Sequence, residues 1–287
     1  MADSVLVPRM TITTGDIFLP TVWAKDLLLA REAVLTFDKL VERLDEDAAD
    51  GGDSIQIDQI SNLSAYAKAA STIVTVQAPT ETAKTLNINR HYESSFLMED
   101  RLKMQAKRAY NLLAKYSQKA GYAIGKQMDA DIAGLYSSAD NYVGDGSTAI
   151  TRTNLLRAFQ YLDDAEVPEV DRHLVGKPAL KAQLLDIDTF TLYSAVNDTM
   201  AVRKAAIGDL YGADVWTTTQ IVTEAATPTV VHNMLFHREA IALAVQLQPR
   251  VQFQYKQEYL GTLCTADSIW GYVAQRTDHM VDVRTKA

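Results

Sequence analysis

A long stretch without proline, residues 98–138, most constrains how this chain can fold. At about 100° per residue its apolar side chains fall within one arc of a helix. The members of this arc are Leu102, Ala106, Ala109, Leu113, Ala120, Ile124, Met128, Ile132 and Leu135. A helix over the whole stretch would be roughly 60 Å long, several times the mean globular helix. The sequence therefore predicts a scaffold helix, whose start is open because residues 101–107 also suit a separate turn.

The side of this helix opposite the apolar arc carries a basic stripe, which consists of Arg101, Arg108, Lys115, Lys119 and Lys126. No acidic residue interrupts the stripe, although solvated helix faces usually mix both signs of charge. One interpretation is an ordinary solvated face. The other is a surface for the phosphate groups of nucleic acid. Both interpretations remain open at this point.

The composition is typical of a globular protein, because 47% of the 287 residues are hydrophobic, enough for a substantial core. A formal net charge of −8 argues against a protein whose whole surface binds nucleic acid, but it allows one local basic face. The lone cysteine, Cys264, excludes an intramolecular disulfide. The sequence has neither a signal-peptide pattern nor an apolar run of membrane-spanning length, so we expect a chain that is neither secreted by the general route nor transmembrane.

The part of the chain before the long helix predicts an extended arm and a ribbon. An irregular start is followed by a helical apolar stripe over residues 23–44, which an acidic segment with a Gly-Gly pair then breaks. In residues 53–60 and 85–92 apolar and polar residues alternate, which predicts two strands of one hairpin. The segment between them has few large apolar residues. It therefore either contacts another molecule or is a mobile hairpin without a partner.

A turn cluster at residues 139–148 predicts the start of a second region with short helices and strands. Thr151 or Thr153 is placed to cap a helix. A buried strand is expected next, followed by a helix with Pro178 in its first turn. After residue 250 the alternation returns, which predicts long strands in a sheet near the long helix.

No set of side chains has the pattern of a catalytic or metal site. The five histidines are dispersed, and no two have the i, i+4 spacing of a helical zinc site. Asp129 and Asp131 would point about 160° apart on a helix, which argues against a shared metal. Cys264 has no basic neighbour in sequence and is interpreted as a small core residue. We therefore predict no catalytic residue, no metal, no cofactor and no enzymatic activity.

Five phrases occur along the chain in a recognisable order: TVWAKDLLLAREAVLTFDKLV, GYAIGKQMDADIAGLY, HLVGKPALKAQLLD, AIGDLYGADVW and FHREAIALAVQ. Together with the order of the predicted parts, they resemble the major capsid protein of tailed bacteriophages, which has the Hong Kong ninety-seven type fold. The resemblance implies an α+β fold with five parts. These are an N-terminal arm (residues 1–50), an extended β-hairpin loop (51–92), a peripheral domain with the spine helix (93–138), an axial domain (139–246) and return strands of the peripheral domain (247–287).

The same resemblance implies a structural protein that assembles into the hexamers and pentamers of an icosahedral shell. Contacts with neighbouring copies are then expected from seven residues of the hairpin and the arm, namely Tyr66, Lys68, Ile73, Val76, Trp23, Leu27 and Phe37. The basic stripe would face packaged double-stranded DNA. Some members of the family cross-link a hairpin lysine to an asparagine. For Lys68 no matching asparagine is identified, so no cross-link is expected.

Further partners implied by the resemblance are a portal protein, a separate scaffolding protein and a decoration protein. The scaffolding protein is expected to be separate because no long extra segment precedes the arm. The expected location is the virion capsid, after assembly in the cytoplasm of the bacterial host and without a membrane partner. Three alternatives stay open. An encapsulin-type nanocompartment shell would need an inner surface that binds cargo, a monomeric DNA-binding module would leave the arm and the hairpin without a role, and an enzyme lacks candidate residues.

Overall fold

The computed structural model describes residues 35–49, 51–105, 109–187, 209–225 and 229–287, which all belong to one unit spanning residues 33–287. The strands are β1 (Glu42–Arg43), β2 (Ser54–Ile60), β3 (Glu81–Asn87), β4 (Arg90–Glu99), β5 (Asn141–Val143), β6 (Arg172–Gly176), β7 (Asp209–Leu210), β8 (Ala213–Thr217), β9 (Thr223–Glu224), β10 (Val230–His237), β11 (Ile241–Lys256), β12 (Gly261–Ala274) and β13 (Met280–Lys286). The α-helices are α1 (Asp45–Ala49), α2 (Asp100–Gln105), α3 (Ala109–Ala133), α4 (Arg152–Asp164) and α5 (Pro178–Leu185). Short 3-10 helices cover Phe37–Lys39, Gly134–Ser138, Arg238–Ala240, Gln257–Tyr259 and Thr277–His279.

The first sheet has the strand order β1-β11-β12-β4, with the long antiparallel pair β11 and β12 at its centre. The spine helix α3 packs on this sheet, and its Ile124, Met128 and Ile132 are buried in one cluster with Trp270 of β12. These three residues belong to the predicted apolar arc. The arc is buried from Ala120 to Ile132, whereas its member Leu102 on α2 is 49% exposed. Burial of this part explains why a helix that contains two glycines is stable, since tertiary packing offsets their low helix propensity.

The second sheet has the strand order β5-β13-β10-β6-β8-β7. Its seventh strand, β9, pairs only with β10. Helices α4 and α5 pack on it, with Leu155 of α4 and Leu235 of β10 buried in the same core cluster. Thr151 is the N-cap of α4, because its hydroxyl accepts a hydrogen bond of 3.2 Å from the Asn154 N–H. Pro178 occupies the first turn of α5. The predicted cap of α4 and the predicted first-turn proline of α5 are thereby confirmed.

Two of the passages between the sheets run through short 3-10 helices, Arg238–Ala240 and then Thr277–His279. The second crossing leads into β13, which lies between β5 and β10 in the second sheet. The prediction that all of residues 247–287 return to the sheet of the spine helix is therefore wrong for this strand. The reason is that Val281 and Val283 fill the core beneath α4, which belongs to the second sheet.

The extended hairpin consists of β2 and β3, which pair antiparallel over seven residues each. Residues 61–80 between them contain no strand and are exposed almost throughout. Strand β4 belongs to the first sheet and pairs with β12 from Arg90 onward, so the hairpin ends before the predicted residue 92. The same pairing includes Met98 and Glu99. These two residues are therefore strand, and the spine-helix stretch begins with α2 rather than at residue 98.

The helical stripe predicted over residues 23–44 does not continue through its described part. There the chain forms the 3-10 helix Phe37–Lys39 and then the short strand β1, which pairs in parallel with β11. A carboxylate of the spine helix holds this segment, since Asp129 accepts a hydrogen bond of 2.8 Å from the N–H of Thr36. Tertiary contacts with the helix and the sheet thus override the local helical pattern.

Candidate assembly surfaces

The tip of the hairpin carries apolar side chains that the chain itself does not cover. Among the predicted contact residues, Tyr66, Ile73 and Val76 are 59%, 93% and 86% exposed. The large exposed apolar residues of this tip are Leu63, Tyr66, Ile73, Val74 and Val76. Single exposed apolar residues are ordinary, whereas a group of this kind on one segment marks an interaction surface.

Polar contacts hold the two sides of this tip together without a core. The Ser64 N–H donates a hydrogen bond of 2.9 Å to Oε1 of Gln77, and the Gln77 amide donates back to the Ser64 carbonyl. Nearer the strands, the Ser61 N–H donates to the Thr80 carbonyl at 3.2 Å. Lys68 is exposed at the tip, where its ammonium donates to the Ala69 carbonyl. Hydrogen bonds therefore join the two sides of the segment, while its apolar side chains stay exposed.

The base of the hairpin is anchored on the first sheet. Leu86 of β3 is fully buried in a cluster with Ala242 and Ala244 of β11. Gln59 of β2 donates a hydrogen bond of 3.0 Å to the carbonyl of Gln275. Because the base is packed and the tip is not, the hairpin presents its apolar tip away from the core of its own chain.

Of the three predicted arm contacts, the structure describes only Phe37. Trp23 and Leu27 lie outside the described residues. Phe37 is fully buried in the core around the spine helix, where its ring stacks on that of Phe236 at 6.2 Å between centroids. Phe37 therefore belongs to the chain's own core, and the prediction that it contacts a neighbouring copy is wrong. The helical spacing of the arm residues did not indicate that Phe37 enters the core.

The basic stripe is divided between two helices. Arg101 is exposed on α2, whereas Lys115, Lys119 and Lys126 are on α3. Lys126 is exposed, Lys115 and Lys119 are half-buried, and Lys119 takes part in a contact with its surroundings. Arg108 lies outside the described residues. The three lysines of α3 remain within a narrow arc, since their spacings of four and seven return to the same side of a helix.

A second exposed apolar group was not predicted from the sequence. At the far end of β11 and β12 it comprises Val251, Phe253, Tyr255, Tyr259 and Leu260. Tyr255 is held in place there, because its hydroxyl donates a hydrogen bond of 2.7 Å to Asp100. The alternation VQFQY predicts a long strand in the sheet near the long helix, and this strand is present, but residues 248–255 are exposed on both of its faces. Alternation alone does not show whether a strand is covered, so the sequence could not predict this exposure.

The chemistry-bearing side chains are dispersed among structural contacts. In the described part of the chain no group of three or more His, Cys, Asp or Glu residues is arranged to hold a metal ion. Asp129 binds the backbone of Thr36, whereas Asp131 accepts from Trp270 Nε1 at 3.2 Å. Cys264 is buried, and burial raises the pKa of its thiol. A buried thiol of this kind is a core residue rather than a nucleophile.

A polar cluster that the sequence did not indicate lies on the second sheet. His232 of β10 bonds through Nδ1 to Asp282 of β13 at 2.9 Å, and both side chains are buried. The two residues are 50 positions apart, so only the pairing of β10 with β13 brings them together.

The helices in the described part of the chain include none with the length and apolar character of a membrane span.

A family model described as phage capsid protein matches residues 38–280 of this chain. No curated protein matches the chain significantly.

Several solved structures of similar fold come from phages. A chain from Mycobacterium phage Che8 has a TM-score of 0.78 and 22% sequence identity, covering 93% of this chain and 97% of that chain. A chain from the capsid structure of the cyanophage P-SCSP1u has a TM-score of 0.77 and 17% identity, covering 96% and 95%. A chain from the mature capsid of bacteriophage PhiM1 has a TM-score of 0.73 and 10% identity, covering 93% and 92%. At these identities the likeness establishes the α+β fold of the chain.

Proposed function

The chain belongs to the phage capsid protein family, and on this premise we propose that its copies form the hexamers and pentamers of an icosahedral shell around a double-stranded DNA genome. At the level of the family, it is a major capsid protein, a structural component of the virion that self-associates into a shell. The alternatives of an encapsulin-type shell and a DNA-binding module have no support from these matches. The proposal adds the symmetry of the assembly, its content and the surfaces that build it.

The observation that carries the proposal is the contrast between the two ends of the hairpin. Leu86 at the base is fully buried, whereas Ile73 and Val76 at the tip are 93% and 86% exposed. Burying a large aliphatic side chain is worth about 1.5–3 kcal/mol. A closed symmetric shell supplies the missing surface, because every tip then meets the same site on an adjacent copy.

The basic residues are assigned to the interior of the shell. Lys115, Lys119 and Lys126 form one narrow arc on the spine helix, and Arg101 lies on the adjoining α2. Backbone phosphates are a partner that requires positive charge but no base-specific geometry. The net charge of −8 argues for a local DNA-facing stripe rather than a wholly basic surface.

The remaining partners follow from the same proposal. A closed shell that encloses a genome needs a portal for DNA entry, and a separate scaffolding protein would set its size. A decoration protein would bind the outer surface. Assembly would take place in the cytoplasm of the bacterial host, and the role of the chain is structural rather than enzymatic.

Negative-stain electron microscopy of the purified full-length chain, expressed alone and with its neighbouring genes, tests the proposal. We expect uniform round shells, or hexameric and pentameric rings, in at least one of the two preparations. Monodisperse monomers in both preparations would overturn the proposed assembly.

A further inference from the structure

Helix α4 packs one side on the second sheet and leaves the other side uncovered by the described part of the chain. Four apolar residues on the packed side are buried. The opposite side, called the α4 face below, is exposed along the whole helix. Its larger side chains fall within an arc of about 140°, and they are Arg152, Leu156, Arg157, Gln160, Asp163 and Asp164.

The two ends of the α4 face have opposite charge. Arg152 and Arg157 lie in its first half, and Asp163 and Asp164 lie in its last turn. The first turn of α4 contains no acidic residue, and the last turn contains no basic residue. Arg152 and Asp164 are about 18 Å apart along the helix axis, so these two charges cannot pair within one copy.

This order of charges is the reverse of the order that stabilises a helix. The N-terminus of a helix favours acidic side chains and the C-terminus favours basic ones, because the free N–H and C=O groups at the two ends carry partial charges. Helix α4 has the unfavourable sign at both ends. Among the described residues, neither Arg152 nor Asp164 forms an ion pair that would compensate. Contacts within the chain therefore give no reason for these two charges.

Both ends of the α4 face are held in position by their own chain. The Arg172 guanidinium, whose side chain is only 3% exposed, donates a hydrogen bond of 2.8 Å to Oδ1 of Asp163. At the basic end, Arg157 Nε donates a hydrogen bond of 3.0 Å to the Tyr161 hydroxyl, and its guanidinium lies over the same ring. Groups that are already ordered lose less entropy when a partner binds. The α4 face is therefore arranged for a contact.

We propose that the basic end of the α4 face in one copy binds the acidic end of the α4 face in the next copy of the chain. The face is complementary to itself, whereas a nucleic acid or any partner of a single charge would match one end and be repelled by the other. A contact between unlike ends repeats around a ring when the rotation closes. The inference rests on the proposed self-assembly, and it names a surface that joins neighbouring members of a ring.

Charge reversal at each end tests the contact. Arg152→Asp and Asp164→Arg should each raise the protein concentration needed for half-maximal assembly, measured by sedimentation at low salt. We expect roughly a tenfold increase, because the reversal replaces an attraction between exposed charges by a repulsion. Both changes follow the preference of the helix ends, so the urea midpoint of unfolding should not decrease in either variant. Weaker assembly at unchanged or higher stability separates loss of the contact from loss of the fold.

The double variant Arg152→Asp/Asp164→Arg carries exchanged charges, and its two ends are again complementary between copies. We expect it to assemble at close to the wild-type concentration. Asp186→Arg is the matched control, since Asp186 is an exposed acid at the C-terminal end of α5 on the same sheet and should be replaceable without effect on assembly. Single variants that assemble as the wild type does, or a double variant that assembles no better than the single ones, would overturn the inference.

A cryo-electron microscopy map of wild-type shells provides a second test. Ion pairs between Arg152 of one subunit and Asp163 or Asp164 of another support the inference, whereas ion pairs of Arg152 and Asp164 within their own subunit would overturn it. If the wild type forms no shells, sedimentation equilibrium of the unassembled full-length chain and of the same variants still measures their pairing. Failure of the α4 contact is thus distinguishable from failure of the proposed shell.

Discussion

Gly271 of β12 lies directly beneath the backbone of Asn87, the last residue of the hairpin strand β3. A β-carbon placed on Gly271 would be 2.9 Å from the carbonyl carbon of Asn87 and 2.8 Å from Cδ2 of Leu86. Both distances are shorter than van der Waals contact. The missing side chain thus allows the hairpin base to pack on the first sheet, and this packing sets the direction in which the hairpin leaves the sheet.

The substitution Gly271→Ala should therefore displace β3. We expect it to lower the free energy of unfolding by about 1–3 kcal/mol, typical of overpacking at a close contact. Hydrogen exchange of β3 amides should accelerate at the same time. Gly121→Ala is the control, because nothing lies within 4 Å of its added β-carbon and alanine is the better helix former. A Gly271→Ala chain with wild-type stability and exchange would show that the hairpin base does not depend on this contact.

Changes at the hairpin tip should separate assembly from folding. In the double variant Ile73→Ser/Val76→Ser, we expect the unfolding free energy to stay within about 0.5 kcal/mol of wild type, since both side chains are exposed in the single chain. Without burial of these side chains between copies, each contact should be weaker by about 3 kcal/mol, which lowers the association constant more than a hundredfold. Shell yield by sedimentation measures this loss. Val170→Ser, at a residue 72% exposed outside the hairpin, should assemble normally.

The lysines of the spine helix should contribute to DNA binding in a salt-dependent way. The double variant Lys115→Gln/Lys126→Gln removes two charges from the stripe. We expect the slope of log affinity against log salt concentration to fall by about 0.9 for each lost phosphate contact. Filter binding of the full chain to double-stranded DNA at several salt concentrations provides this slope. The control Lys39→Gln/Lys181→Gln also changes one exposed and one half-buried lysine, and identical slopes for the two variants would refute the assignment.

The sequence was sufficient for elements whose signals are local. The cap at Thr151, the first-turn Pro178 and the alternation along β11 and β12 each depend on neighbouring residues, and the structure confirms all of them. The buried arc of the spine helix was predictable for the same reason. Its start was not, because Met98 and Glu99 are held in β4 by pairing with β12, more than 160 residues away.

The surfaces were harder to predict than the elements. Phe37 follows the helical spacing of the arm, yet it packs on Phe236, almost 200 residues further along the chain. The cluster of His232 and Asp282 depends on the register of β10 with β13. In each case the partner is set by tertiary pairing, which composition and periodicity do not encode.

Acid should weaken the fold through a buried histidine. Burial lowers the pKa of His173 below its ordinary value of 6.5, although the nearby Asp214 opposes this shift. Above pH 6.5 the histidine is neutral in both states and does not destabilise the fold. Between 6.5 and the lowered pKa the unfolded chain binds more protons than the folded chain. The free energy of unfolding therefore decreases as the pH falls through this range. Urea denaturation between pH 7.5 and 5 should show this decrease.

The variant His173→Gln should lose less stability than the wild type over the same pH range. His91→Gln, whose ring is 62% exposed, is the control for removal of a histidine. A steeper decrease in His173→Gln than in the wild type would contradict the assignment. His279, whose pKa burial also lowers, remains in both variants, so the pH dependence should be reduced rather than abolished.

A cryo-electron microscopy map of the assembled particle would show whether another copy of the chain covers the hairpin tip. We expect closed shells in which Ile73 and Val76 are buried against an adjacent subunit, while Leu86 remains in the core of its own subunit. Shells in which the tip extends into solvent, or folds back on its own chain, would contradict this expectation.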